Sequence, residues 1–203
     1  MKIIGIGKNY VSDKTELPQG DVVPVIFVKT ENTLLTHNKD LAFPAICKDL
    51  KFEIEIALRV GKSVKNVAES EAMNCIDAIA LANDLTATDV LASSRENKGP
   101  WALAKGFDGA TPISEFRPIS DFPDIHNINF GMEVNGEQVQ FGNTSLMITK
   151  PEQLIAYVST FMTLEPGDIF LTGTPAKGAG YVHQGDVMVG YLEGEKLLET
   201  KVV

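Results

Sequence analysis

Phe52-Glu53-Ile54-Glu55-Ile56-Ala57-Leu58-Arg59-Val60-Gly61 alternates apolar and polar side chains through its first half. A strand sends successive side chains to opposite faces, so residues 51–60 read as a strand with Phe52, Ile54, Ile56 and Leu58 on one side. Glu53 and Glu55 then share the other side. Like charges aimed together from an apolar strand are costly unless a cation receives them. A third carboxylate, Asp84, follows the apolar run Ala78-Ile79-Ala80-Leu81-Ala82, which reads as a buried strand ending at a site. Three carboxylates without a nearby His or Cys suit a hard cation such as Mg²⁺ or Mn²⁺ better than zinc or copper. The competing reading makes Glu53 and Glu55 the solvated face of an edge strand, with Asp84 capping a helix that begins near Leu85.

The chain has 203 residues, 44% hydrophobic and 22% charged, which fits an ordinary globular protein of one domain, residues 1–203. A formal net charge of −9 argues against a nucleic-acid partner. No apolar run is long enough to span a bilayer, and Met1-Lys2-Ile3-Ile4-Gly5 does not open a signal peptide. A cytoplasmic protein is expected. The two cysteines, Cys47 and Cys75, then read as reduced, small apolar residues.

Other segments supply the architecture. Val22–Lys29 reads as a buried strand, and Asn66-Val67-Ala68-Glu69 as a capping box opening a helix to about Ile76. Asn135-Gly136 between two alternating runs predicts a tight hairpin. Pro151 opens a helix with Leu154, Ile155, Val158, Phe161 and Met162 on one face. Glu165-Pro166-Gly167-Asp168 and His183-Gln184-Gly185-Asp186 turn into strands, and a last hairpin turns around Glu193-Gly194-Glu195. Strands dominate without a regular βα rhythm, so an α+β, mainly β fold with a few short helices is expected.

Gly7-Lys8-Asn9-Tyr10, the Val25–Lys29 strand, Glu53-x-Glu55, Asn83-Asp84-Leu85-Thr86-Ala87, Leu103-Ala104-Lys105-Gly106-Phe107-Asp108 and Leu171-Thr172-Gly173-Thr174-Pro175 occur in this order. Together they resemble the fumarylacetoacetate hydrolase family, in particular its short acylpyruvase and oxaloacetate decarboxylase-like members. The resemblance covers essentially the whole chain. It implies a mixed β-sandwich roll assembled as a homodimer, with Glu53, Glu55 and Asp84 as ligands of Mg²⁺ or Mn²⁺. It also implies a small 2-keto acid substrate or its enol, with acylpyruvate C–C hydrolysis, oxaloacetate-type decarboxylation or keto–enol isomerisation as the reaction. Lys105 matches the family's active-site lysine, although a lysine is more often a plain surface residue. Lys29 and Thr174 fall at substrate-contacting positions.

The same resemblance exposes two departures. The family's hydrolases carry a His and a Glu three residues apart after Gly-Lys-Asn-Tyr, as the pair that activates water. Glu16 is present here, but Asp13 stands where the histidine is expected. An Asp–Glu pair shares a proton less readily near neutral pH than a His–Glu pair. Thr88 and Leu91 replace a family arginine and glutamine, and Arg95, further along the same helix, is not assigned to that place. His37, His126 and His183 all read as solvent-facing or structural. A metal- or ligand-binding relative with lost or altered chemistry is therefore the alternative to an enzyme.

Overall fold

The computed structural model describes residues 1–20 and 22–203. Ile54–Val60 is an interior strand of a six-stranded sheet ordered Val25–Thr30, Lys2–Gly7, Ile169–Leu171, Ile54–Val60, Ile76–Asn83 and Arg117–Pro118. It pairs antiparallel with Ile169–Leu171 on one side and with Ile76–Asn83 on the other. The edge-strand reading of the two glutamates therefore fails.

Both faces of this sheet are covered. Ile54, Ile56, Leu58, Ile79 and Leu81 share the main core with Phe130, Met132, Met188, Leu192 and Leu198. Those partners come from a second, four-stranded sheet ordered Glu137–Asn143, Asn129–Val134, Val187–Leu192 and Glu195–Lys201. Each such Ile or Leu adds about 1.5–3 kcal/mol by leaving water. The opposite face carries Ala57, Ala80 and Ala82 beside Ile3, Ile169 and Leu171 of the same sheet, packed against Ile113, Leu34 and Phe116. Alternation thus sorts the strand correctly, and the face bearing the glutamates turns inward.

The α+β, mainly β class stands, with several sheets and few short helices. The hairpin turns at Asn135-Gly136 and Glu193-Gly194 form as the pattern predicts. Three local expectations need correction. The strand near Val22–Lys29 spans Val25–Thr30 and lies at a sheet edge, where Val25 and Val28 stay exposed and Lys29 is sealed. Asn66 caps nothing: it takes a left-handed φ of 51°, and its N–H donates to the Ser159 carbonyl. The short helix there is Glu69–Ala72, because docking onto the Pro151–Ser159 helix fixes the chain before it. That second helix buries Leu154, Ile155 and Val158 and stops at Ser159, leaving Phe161 51% exposed beyond it. Among the described residues no helix is long and apolar enough to cross a membrane.

Asp168 ties the amino terminus to the turn before Ile169–Leu171. Its Oδ1 accepts from the Lys2 N–H at 2.9 Å, and its Oδ2 accepts from the Glu165 N–H at 2.8 Å and from Lys2 Nζ. Burial alone would raise this carboxyl; the hydrogen bonds from Lys2 and Glu165 outweigh it and lower the pKa. A carboxyl lowered on folding adds stability above its unfolded value of about 3.9, and loses it as pH falls through the folded value. Asp168→Asn should therefore cost roughly 1–3 kcal/mol at neutral pH in urea denaturation, with the difference from the parent shrinking in acid. A difference that stays constant down to strongly acidic pH would contradict this account.

Candidate active site

Register brings the carboxylates to one end of the large sheet. Ile54 pairs with Asn83, the Glu53 N–H donates to Asn83 Oδ1 at 2.8 Å, and the Asp84 N–H donates to the Glu53 carbonyl at 2.8 Å. Asp84 and Glu55 are 1% and 3% exposed, while Glu53 is half-buried. Thr86 Oγ1 donates to Glu53 Oε2 at 3.0 Å.

Two ammoniums answer them. Lys105, at the end of the short helix Ala102–Lys105, donates to Glu53 Oε2 at 2.9 Å and to Asp84 Oδ2. Lys29 donates to Asp84 Oδ1 at 2.6 Å and to the Ala110 carbonyl at 2.7 Å. Burial works to raise the Asp84 carboxyl, and these two ammoniums outweigh it, so it stays below the ordinary range. Burial likewise opposes charge on Lys105, but Asp84 and Glu53 prevail and its pKa rises. Lys29 moves the other way, because desolvation exceeds the help from Asp84. The expectation that Lys29 contacts substrate is not met. It lies behind Asp84, out of the cavity, and acts on that carboxylate.

Glu55 is the least satisfied of the three. Its Oε2 accepts from the Gly173 N–H at 2.7 Å. Gly173 has φ +101°, and a Cβ there would lie 2.8 Å from Asn9 Cβ, so only glycine presents this N–H. Asn9 in turn locks the loop, donating to the Thr149 and Thr172 carbonyls. Burial raises the Glu55 carboxyl well above the usual range, and neighbouring Asp84 and Glu53 push the same way. Glu53 and Asp84 are answered by Lys105, Lys29 and, at 3.4 Å, Lys51, whereas among the described residues Glu55 has no ion-pair partner and its charge, when ionised, is uncompensated. An added hard cation would relieve it, and the all-oxygen donor set fits one. As the side chains stand, no three acidic, histidine or cysteine groups among the described residues close a metal cage, because the Lys105 ammonium lies between Glu53 and Asp84.

A cavity of about 310 Å³ opens over this cluster, lined by Glu53, Glu55, Asp84, Lys105 and Thr174. Thr174 Oγ1 is held by Gln140 Nε2 at 3.0 Å, and Gln140 Oε1 accepts from the Ile54 N–H at 3.0 Å. The wall also contains Lys8, Phe27, Trp101 and Arg95. Arg95 lines the same cavity two helical turns beyond Thr88, since Thr88, Leu91, Ala92 and Arg95 all face it from the helix Thr88–Glu96. Their spacing of three, four and seven residues places them on one stripe, a signal present in the sequence. Gln140, separated from the site by sequence and carried on the other sheet, had no such signal.

Asp13 and Glu16 are not brought to the site. Asp13 Oδ1 accepts from the Thr15 N–H and hydroxyl, Glu16 Oε2 accepts from the Ser12 N–H, and both lie in an exposed turn. Neither lines the cavity, nor does any of the three histidines. Of the apolar neighbours of Lys105, Trp101 lines the cavity, Phe107 packs on the core and Leu103 points to solvent.

Comparison with known proteins gives a consistent picture. The profile of the fumarylacetoacetate (FAA) hydrolase C-terminal family matches residues 2–203. The mitochondrial oxaloacetate tautomerase FAHD1 of Bos taurus is 38% identical over 98% of this chain and 90% of its own length. The mitochondrial oxaloacetate tautomerase fahd-1 of Caenorhabditis elegans is 36% identical over 92% of this chain and 87% of its own. The crystal structure of fumarylpyruvate hydrolase from Pseudomonas aeruginosa, in complex with Mn²⁺ and pyruvate, superposes with a TM-score of 0.91. It is 27% identical and covers 100% of this chain and 89% of its own.

Removing one partner of a buried ion pair strands the other charge, at a cost of about 3–5 kcal/mol. Lys29→Met should therefore lower stability by about that amount in urea denaturation at neutral pH. A loss below about 1 kcal/mol would show that Lys29 does not sustain the Asp84 charge.

Proposed function

This chain belongs to the fumarylacetoacetate hydrolase family, and we propose on that footing that it is a divalent-metal-dependent enzyme that interconverts a small 2-keto acid and its enol. Glu53, Glu55 and Asp84 would hold Mg²⁺ or Mn²⁺, which when bound polarises the keto and carboxylate oxygens of the substrate. The observation that carries this reading is Glu55, a buried carboxyl without a cation partner whose one hydrogen bond among the described residues comes from the Gly173 N–H, beside the carboxylates of Glu53 and Asp84. Lys105 donates to oxygens of Glu53 and Asp84, two of the three residues that would hold the ion.

The chain's own residues supply the rest. Lys29 keeps Asp84 ionised from behind. Lys105 is the ammonium that touches Glu53 and Asp84, and in this reading it stabilises negative charge developing on the enolate oxygen. Thr174, steadied by Gln140, offers a hydroxyl to the substrate. Phe27 and Trp101 exclude water from one side. C–C hydrolysis needs, in addition, a base that activates water. Asp13 and Glu16, the candidates for that task, are tied to their own turn. Tautomerisation, or decarboxylation through the same enolate, is therefore favoured over hydrolysis. Assembly as a homodimer belongs to the same reading, supported by the exposed Val25 and Val28 on the sheet edge.

Oxaloacetate enol should disappear faster in the presence of protein and Mg²⁺, while acetylpyruvate cleavage stays near background. Oxalate, an enolate mimic, should bind in calorimetry only when the metal is present. Glu55→Gln and Asp84→Asn should each weaken that binding at least tenfold while the far-ultraviolet circular dichroism is retained. Metal-dependent oxalate binding without turnover of oxaloacetate would favour a binding protein, and metal-independent oxalate binding would remove the carboxylate assignment.

A further inference from the structure

The cavity wall contains an alternating run of cations and rings. The Arg95 guanidinium lies 5.0 Å from the Trp101 ring centre, Trp101 lies 5.8 Å from the Phe27 ring, and Lys105 Nζ lies 4.8 Å from the Phe27 ring. Lys105 is at the buried end, against Asp84 and Glu53. Arg95 is at the exposed end, two helical turns beyond Thr88. Both cations line the same cavity.

Their situations differ. Lys105 is fully engaged by carboxylates, whereas the ion pairs among the described residues leave Arg95 without an acidic partner. Arg95 lies over the Trp101 ring, a cation–π contact, and among the described residues its guanidinium N–H groups have no hydrogen-bond partner. Thr88 cannot offer recognition from the same helix face, since its hydroxyl donates to the Asp49 carbonyl at 3.0 Å. Leu91 and Ala92, between them, are apolar. Lys8 and Lys51 also line the cavity, so a chain of net charge −9 collects Lys8, Lys51, Arg95 and Lys105 around one opening. Lys51 is 3.4 Å from Glu53 Oε1 and is partly answered by it.

We propose that Arg95, positioned on Trp101, binds the distal carboxylate of a dicarboxylic 2-keto acid and so sets the substrate preference of the cavity. This deepens the functional reading above and rests on it: the keto-acid end belongs to the carboxylate cluster, and Arg95 reads the other end. A planar guanidinium suits a carboxylate because two parallel N–H donors meet two oxygens. The contact with Trp101 favours the rotamers that keep the guanidinium at the cavity mouth, which lowers the entropy lost when the ligand arrives.

Matched acids test the assignment: oxaloacetate against 2-oxobutyrate, and 2-oxoglutarate against 2-oxopentanoate, each pair differing chiefly in the distal carboxylate. Trp101 is the only tryptophan in the chain, so its fluorescence reports ligand at this end of the cavity. In the parent protein with Mg²⁺, the diacid of at least one pair should bind about tenfold or more tighter than its monoacid and change the Trp101 emission. Arg95→Gln should reduce that preference to within about twofold, and Arg95→Lys, which keeps the charge without the flat stack, should fall between. The exposed position of Arg95 makes an unchanged melting temperature the expected control. Equal loss for diacid and monoacid, or an unchanged preference, would overturn the proposal while leaving the metal-site reading intact. Oxalate failing to bind the parent protein with Mg²⁺ would overturn both.

Discussion

Asp84 sits 1% exposed between the ammoniums of Lys29 and Lys105, and the arrangement of the site depends on that triad. A lone carboxylate at this depth would be neutralised, because its desolvation costs several kcal/mol. With both ammoniums present the charge survives burial, and the enclosing elements must then hold two lysines at fixed places. Lys29 comes from the sheet edge Val25–Thr30, and Lys105 from the helix Ala102–Lys105 after the loop. Fixing one carboxylate therefore draws together three distant parts of the chain. It also leaves Glu55 as the member whose charge is not balanced.

That imbalance is imposed by ordinary sheet geometry. Glu53 and Glu55 fall on the same face because they are two residues apart, and register sets Asn83 beside Ile54, which carries Asp84 to the same end. The loop Thr172-Gly173-Thr174 crosses above Glu55 and gives it one N–H, with a φ that a β-carbon would not tolerate beside Asn9. Strand register alone brings the three carboxyl-bearing residues to one end of the sheet, with the Lys105 ammonium between Glu53 and Asp84. Competition between the Lys105 ammonium and a metal ion for the same oxygens is the one internal adjustment that cation binding would require.

The central strand was legible because its period of two is local, and so were the hairpins at Asn135-Gly136 and Glu193-Gly194. The carboxylate trio was legible as a spacing. Its burial was not, since a polar outer face and a buried charged face share the same alternation. Lys29 shows the limit from another direction. Its place at the end of an apolar strand suggested an active-site cation, yet only the tertiary structure reveals that Asp84 lies between it and the cavity. Asn66 failed for a related reason: a capping pattern competes with docking onto Ser159, and docking prevailed. The presence of Arg95 on the cavity wall was legible in part, because its helical spacing puts it on the stripe of Thr88 and Leu91.

The division between a rigid floor and a replaceable wall explains why different parts of the sequence depart from the family pattern. Glu53, Asp84, Lys29 and Lys105 hold one another, so changing any of them would unbalance buried charge. Thr88, Leu91 and Arg95 project from one helix face and share no ion pair with that floor. A cation can therefore be absent at one turn of the helix and present at another without disturbing the carboxylates. The exposed turn with Asp13 and Glu16 is similarly independent, being closed by its own backbone hydrogen bonds. Substitutions on these two elements can therefore accumulate without disturbing the buried ion pairs at the sheet end.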